Sequence, residues 1–123
     1  MSHTVQIRTQ VKDAVAATAA CQRLGLSAPV QETVRFFSDQ ATGLAVRLPD
    51  WRYPVVFNLT TGEVKFDNFG GYWGDPKELD RFMQAYAVER AKIEARRQGH
   101  TVTEQPLADG SIKLTIQVAG GAA

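Results

Sequence analysis

Hydrophobic and polar residues alternate over several short segments, which is the pattern of β-strands with one buried face. In residues 4–10, Val5 and Ile7 point to one side and polar residues to the other. Six further segments have strand character, and they span residues 29–38, 43–48, 54–59, 63–67, 101–105 and 111–118. Short links such as Thr60-Thr61-Gly62 predict antiparallel pairing between consecutive strands.

Two segments have helical periodicity and carry the residues that start and stop helices. In the first, Asp13 is an N-cap and Gly25 can take the left-handed position after the last turn. Small residues on one face of this helix predict that it lies close to its neighbours. In the second, Asp75 followed by proline predicts a helix that runs to Gln98.

The predicted order of elements is therefore βαββββαββ. This order indicates an α+β fold, a two-layer sandwich in which a mainly antiparallel sheet carries two helices on one face. The nearest common topology is a ferredoxin-like core with added strands. A single domain is predicted over residues 1–118, and residues 119–123 are predicted to be a flexible tail because they have little to bury.

The second predicted helix is apolar on two sides. The stripe predicted to pack on the sheet consists of Leu79, Phe82, Met83, Tyr86 and Ile93. Arg90 falls on the same side, which predicts that the helix projects beyond the core there, since an unpaired guanidinium is costly to bury. The opposite side carries Val88, Ala91 and Ala95, which no layer of the predicted fold covers. We therefore expect this helix to contact a protein partner or a second copy of the chain.

The composition of the chain argues against several classes of function. The 123 residues include 14 Lys and Arg against 13 Asp and Glu, so the formal net charge is +1 and nothing favours nucleic acid or an anionic membrane. No apolar segment reaches the length of a membrane span, and the first residues lack the pattern of a secretory signal. A lone cysteine excludes an intramolecular disulfide. These features predict a cytoplasmic protein that binds neither nucleic acid nor membrane.

Residue types that catalyse reactions or bind metals are few and scattered. The two histidines lie on different predicted elements, and Cys21 lies on the helix face directed at the core. Asp50, Asp67 and Asp75 lack the ligand spacing of a calcium loop. We therefore expect no catalytic residue, no metal and no cofactor. An enzyme that uses Asp67 or Asp75 with Arg52 is the weakest of the functional hypotheses.

The most distinctive segment is the loop at residues 68–75, with three glycines and three aromatic residues in the sequence NFGGYWGD. Glycines before a helix can bind phosphate through backbone N–H groups, but Asp75 places a negative charge there. A structural interpretation has Phe69 and Trp73 fill the core over the edge of the sheet. A functional interpretation makes the loop a binding site for a ligand or partner, and the candidate residues are Trp51, Arg52, Asp67, Tyr72 and Trp73.

Short motifs along most of the chain resemble one known family. They are the start M-S-H-x-x-x-I-x-T with Asp13 after it, the segment QAYA at residues 84–87, the Gln98-Gly99 helix stop and the ending DGSIKL at residues 109–114. Together they resemble the family of the thirty-fifth hypothetical chloroplast reading frame, a domain of unknown function in plastids, cyanobacteria and other bacteria. Between residues 28 and 75 only the strand character and the Trp73-Gly74 pair match. The resemblance implies a compact cytoplasmic or plastid-type protein without a defined activity.

Two functions from different classes remain open. The first is a non-enzymatic interaction or regulatory module that binds another protein, through the second helix and the aromatic loop. The alternative is a small-molecule binding domain whose pocket lies under residues 68–75 and is lined by Trp51, Tyr72 and Trp73.

Overall fold

The computed structural model describes residues 4–8 and 11–118. The described elements are β1 (Thr4–Arg8), α1 (Ala14–Arg23), β2 (Val30–Arg35), β3 (Gln40–Val46), β4 (Val55–Phe57), β5 (Glu63–Asp67), a 3-10 turn (Phe69–Gly71), α2 (Pro76–Arg97), β6 (Thr101–Pro106) and β7 (Ile112–Gln117). The α+β class, with two helices and mainly antiparallel strands, is confirmed. The predicted tail at residues 119–123 and the histidine at position 3 lie outside the described residues.

The strands form two separate sheets. Five strands pair in the order β1-β5-β4-β3-β2, and every neighbouring pair is antiparallel. Among the strands that the structure describes, β6 and β7 pair only with each other. A ferredoxin-like core would place the first strand inside the sheet and the last strand in the same sheet. Here β1 is an edge strand and the final hairpin is detached, so the expected ferredoxin-like order is not the one found.

Both helices pack on the same face of the five-stranded sheet. α1 begins at Asp13, whose Oδ1 accepts the backbone N–H groups of Val15 at 2.9 Å and Ala16 at 3.1 Å. The buried residues of α1 are all small: Ala16, Ala17, Ala20 and Cys21. These residues share one core with the inward side chains of β3, β4 and β5 and with those of α2, where the Phe57 and Phe82 rings lie 5.3 Å apart.

The opposite face of the sheet, which we call the open face, carries a smaller core. Its buried residues are Val34, Phe36, Ala45 and Val56, and Ala41 and Tyr53 pack against them. The alternation along β3 accounts for the division, since Leu44 and Val46 point to the helices and Ala45 points to the open face. Both helices that the structure describes lie on the side of the sheet opposite to the open face.

The hairpin of β6 and β7 covers the outer side of α2. The Gln84 side chain donates a hydrogen bond to the Gly110 carbonyl at the hairpin turn, and Lys92 pairs with Glu104 of β6 at 2.6 Å. Val88 lies between Gln84 and Lys92 on this side of the helix and is only 6% exposed. Ala95, two turns beyond Val88 on the same side of the helix, is 5% exposed.

The expectation that Val88, Ala91 and Ala95 lack a covering layer is therefore wrong for Val88 and Ala95. The chain's own C-terminal hairpin buries these two residues. Ala91 is half-buried and lies on a different flank of the helix. No helix in the described part of the chain is long and apolar enough to cross a membrane.

An ion-pair network joins the hairpin to both helices. Arg23 of α1 pairs with Glu89 of α2 at 2.8 Å and also with Glu104 of β6. Lys92 contacts the same two carboxylates. Hydrogen bonds from Arg23 and Lys92 lower the pKa of Glu104 to about 2. Because the four side chains are mostly shielded from solvent and are shared between pairs, the network fixes the hairpin against the helices more firmly than isolated surface pairs would.

Substitution of Ala95 by glutamate tests whether the hairpin covers this side of α2. We expect Ala95→Glu to lower the free energy of unfolding by about 2 kcal/mol or more, because it forces a carboxylate under the hairpin. Ala91→Glu is the matched control and should change it by less than about 1 kcal/mol. Urea unfolding measures both. Equal and small effects of the two substitutions would show that the hairpin does not cover Ala95.

Candidate aromatic binding surface

The loop between β5 and α2 is closed by a buried asparagine. The Asn68 side chain donates a hydrogen bond to the Gly74 carbonyl at 3.2 Å. The backbone carbonyl of Asn68 accepts the backbone N–H groups of Gly71 at 3.0 Å and Trp73 at 2.9 Å. The chain therefore returns to the end of β5, which places Trp73 and Gly74 beside the residues that precede β4.

The turn itself consists of residues with positive φ. Phe69, Gly70 and Gly71 have φ values of 46°, 61° and 104°, a conformation that glycine adopts without steric cost. The turn leaves Phe69 38% exposed and Tyr72 85% exposed, and Trp73 is half-buried. Phe69 therefore does not fill the core as the structural interpretation of the loop expected.

Trp51 belongs to the helix side of the sheet. Its ring packs on Phe66 with centroids 5.6 Å apart, and its indole N–H donates to the Asp75 carbonyl at 3.0 Å. A side chain at Gly74 would collide with this ring, since a Cβ atom there would lie 2.6 Å from Trp51 Cε2. Asp75 in turn caps α2 by accepting the Lys77 N–H at 3.0 Å. Trp51 therefore supports the start of α2.

Trp73 lies in a different cluster, on the open face. Its ring centroid is 4.7 Å from that of Phe69, 5.7 Å from that of Phe37 and 6.0 Å from that of Tyr53. Tyr53 also meets Phe36 of the smaller core edge-to-face. We use the name aromatic surface for the group formed by Phe37, Arg52, Tyr53, Phe69, Tyr72 and Trp73.

Arg52 stacks on this cluster. Its guanidinium carbon lies 4.4 Å from the centre of the Trp73 ring and 5.4 Å from that of Tyr53. Its backbone N–H donates to the Trp73 carbonyl at 2.8 Å, so main chain and side chain hold the two loops together. Arg52 remains exposed, and no carboxylate of a described residue lies within 4 Å of its nitrogens.

The acidic residues around the aromatic surface already have structural roles. Lys65 pairs with Asp39 in the β2–β3 turn at 2.7 Å, and this contact lowers the pKa of Asp39. Asp67 is fully buried, with Oδ1 accepting the Phe69 N–H at 3.3 Å and Oδ2 lacking a hydrogen-bond partner among the described residues. Asp67 therefore lies under the loop and not on its surface. Asp75 caps α2, so an acid–base pair with Arg52 finds no support in this arrangement.

The structure distributes the eight predicted site residues over five places. Arg52, Tyr72 and Trp73 come together on the aromatic surface, whereas Trp51 faces the helix-side core, Asp67 is buried beneath the loop and Ala95 is covered by the hairpin. Arg90 and Ala91 line a groove of about 500 Å³ beside α2. The other lining residues of this groove, which the sequence did not single out, are Val11, Met83, Tyr86, Ala87 and Glu94.

Three aromatic residues of the surface were not among the predicted site residues. Phe37 and Tyr53 lie in two different links between strands, and Phe69 lies in the loop between β5 and α2. The Phe36-Phe37 pair offered a signal, because adjacent residues at the end of a strand point to opposite sides and only Phe36 can be buried on the open face. Nothing local indicated that Tyr53 and Phe69 would meet at Trp73.

No group of three or more His, Cys, Asp or Glu side chains that could hold a metal ion occurs among the described residues. Comparison of the chain with protein-family models, with curated proteins and with solved structures finds no match. The roles of individual residues therefore rest on the geometry of this chain alone.

Substitution of Gly74 tests the packing that separates the two indoles. We expect Gly74→Ala to destabilise the fold by about 1–3 kcal/mol, because the added methyl group collides with the Trp51 ring. In a Trp51→Ala background the same substitution should cost less than about 0.5 kcal/mol, since the ring is gone. Urea unfolding of the double-mutant cycle measures this coupling. Additive effects would mean that Trp51 is not the residue that requires glycine at position 74.

Proposed function

We propose that this protein is a non-enzymatic module that binds another protein through the aromatic surface. The observation that carries the proposal is the exposure of two large rings, Phe37 at 60% and Tyr72 at 85%, next to Trp73 and its stacked Arg52. Contiguous exposed aromatic residues are unfavourable for a protein in water, and on monomeric proteins they commonly mark interaction sites.

The composition of the aromatic surface supports a protein partner. Tryptophan, tyrosine and arginine are the residue types most enriched among those that dominate the energy of protein–protein interfaces. Trp73, Tyr53 and Arg52 provide all three in one contact group. They also combine apolar area with polar atoms that can form directional bonds to a partner.

The aromatic surface is held in place before a partner arrives. Asn68 fixes the loop from below, and the Arg52 N–H to Trp73 carbonyl bond ties it to the segment before β4. A surface that is already ordered loses less conformational entropy on binding, so more of the contact energy appears as affinity.

Small-molecule binding is the second candidate function. A groove beside α2 favours it, although the sequence predicted a pocket under residues 68–75. The pocket predicted under residues 68–75 is not supported, because Trp51 and Trp73 pack in separate clusters. The groove beside α2 has a volume of about 500 Å³, within the usual range for ligand sites. Its floor includes Val11 and Tyr86, and Arg90 and Glu94 offer charged groups of opposite sign.

Three further expectations from the sequence are part of the same proposal: the two-layer arrangement, the family and the location in the cell. A two-layer arrangement is supported by the core that both helices share with the sheet. Membership of the chloroplast reading-frame family and a cytoplasmic location rest on the sequence motifs and composition alone. Each is consistent with a small binding module without an active site of its own.

Loss of the exposed rings tests the proposed function. We expect the double variant Phe37→Ser, Tyr72→Ser to capture at least about tenfold less of the proteins that the wild type captures from a lysate of its source cells, because the rings provide the contact. The control is Val15→Ser on α1, where an equally accessible apolar side chain (67% exposed) lies outside the aromatic surface. Quantitative mass spectrometry measures the capture.

Both variants should keep the free energy of unfolding within about 1 kcal/mol of the wild type, since the residues changed are exposed. Capture that is unchanged in the double variant, or lost equally in Val15→Ser, would contradict the proposed function.

A further inference from the structure

We propose that the aromatic surface recognises an extended segment of a partner protein in which an acidic side chain lies two residues from an apolar one. Arg52 would receive the carboxylate, and the rings of Phe37 and Trp73 would receive the apolar side chain. This inference rests on the proposed function and gives the chemistry of the partner.

The Arg52 guanidinium is held by aromatic rings, whereas the cations that form ion pairs in the described residues are held by carboxylates. Arg23, Arg47, Lys65, Arg81, Lys92 and Arg97 are paired with carboxylates of the same chain. Arg52 is instead held by two aromatic rings, at 4.4 and 5.4 Å. Stacking through its face leaves the N–H groups at the edge of the guanidinium able to donate to a planar acceptor.

A carboxylate is the acceptor that fits such a guanidinium best. Two parallel N–H···O bonds to one carboxylate are shorter and stronger than bonds to a neutral group. The rings beneath Arg52 exclude water from one side of the charge, which strengthens its attraction to an anion. Because stacking already orders the side chain, less rotamer entropy is lost when the ion pair forms.

The acidic residues close to Arg52 in sequence and those of the β2–β3 turn and the loop after β5 do not pair with Arg52. Asp39 pairs with Lys65, Asp75 accepts the Lys77 N–H, and Asp67 is buried below the loop. Asp50, two residues before Arg52, forms no ion pair with it within 4 Å. The aromatic surface therefore presents one positive charge among apolar rings, and a negative charge among apolar groups complements it.

The contacts of Trp73 set an upper limit on the spacing in the partner. The Arg52 guanidinium and the Phe37 ring both contact the Trp73 ring, so they lie within about 10 Å of each other. In an extended chain, side chains two residues apart point to the same side and are separated by about 7 Å. An acidic residue followed two positions later by leucine can therefore reach Arg52 and the rings together.

Matched synthetic peptides test this inference. The probe is a peptide of about eight residues with the central sequence Glu-Ser-Leu, acetylated and amidated so that only the side chain is anionic. Its control has Gln in place of Glu. Titrations followed by NMR of the protein's arginine and tryptophan side chains should show binding of the Glu peptide about tenfold tighter than that of the Gln peptide. The difference should vanish in Arg52→Gln, while Phe37→Ser should weaken the binding of both peptides, because its ring contacts the shared apolar side chain.

The outcomes separate this inference from the proposed function. Equal binding of the two peptides, no binding of either at about 1 mM, or a preference for Glu that persists in Arg52→Gln would each overturn the inference. The proposed function would still stand if the Phe37 and Tyr72 variant lost its captured protein. An oligouridylate that bound more tightly than the Glu peptide, and through Arg52, would overturn the inference in favour of single-stranded nucleic acid.

Discussion

A buried asparagine, Asn68, determines where the aromatic residues of this protein lie. Its side chain and its carbonyl hold three points of the loop that follows β5. Closed in this way, the loop presents Gly74 and Asp75 to Trp51 on one side and Trp73 to Arg52 on the other. These bonds therefore help to fix both the start of α2 and the aromatic surface.

The two faces of the five-stranded sheet consequently have different roles. The helix face contains the larger core, and the alanines and cysteine of α1 allow it to lie close to α2. The open face has a small apolar core that extends through Phe36 and Tyr53 to the exposed rings. Stability therefore depends mainly on one face, which leaves residues at the end of the other available for contact with a partner.

Local signals in the sequence predicted the local structure well. Asp13 and Asp75 cap the helices as expected, because an aspartate side chain needs only the N–H groups two or three residues ahead of it. The strands were located by alternation, although β4 is shorter than predicted and contains only Val55–Phe57. Alternation shows which residues share a face, but hydrogen bonding to neighbours determines where a strand ends.

Contacts between distant segments could not be predicted in the same way. The cover over Ala95 depends on the C-terminal hairpin folding back along α2, and the ion pairs of Glu104 that hold it there join residues far apart in the chain. Similarly, Trp51 and Trp73 are the same type of residue, so the sequence does not distinguish them. The closure of the loop by Asn68 places them on opposite faces of the sheet. The composition of the loop thus identified where the candidate site lies, but only the folded structure shows which residues belong to it.

The most direct test of this account is the NMR chemical shift of the Arg52 side-chain protons. If Arg52 lies over the Trp73 ring, the ring current shifts these protons upfield, and Trp73→Ala moves them most of the way back to the values of a free arginine, since only the more distant Tyr53 ring remains. Trp51→Ala should leave them shifted, because its ring packs on Phe66. Arg52 protons that are unshifted in the wild type, or that respond to the loss of Trp51 and not of Trp73, would contradict the division of the two indoles between the faces of the sheet.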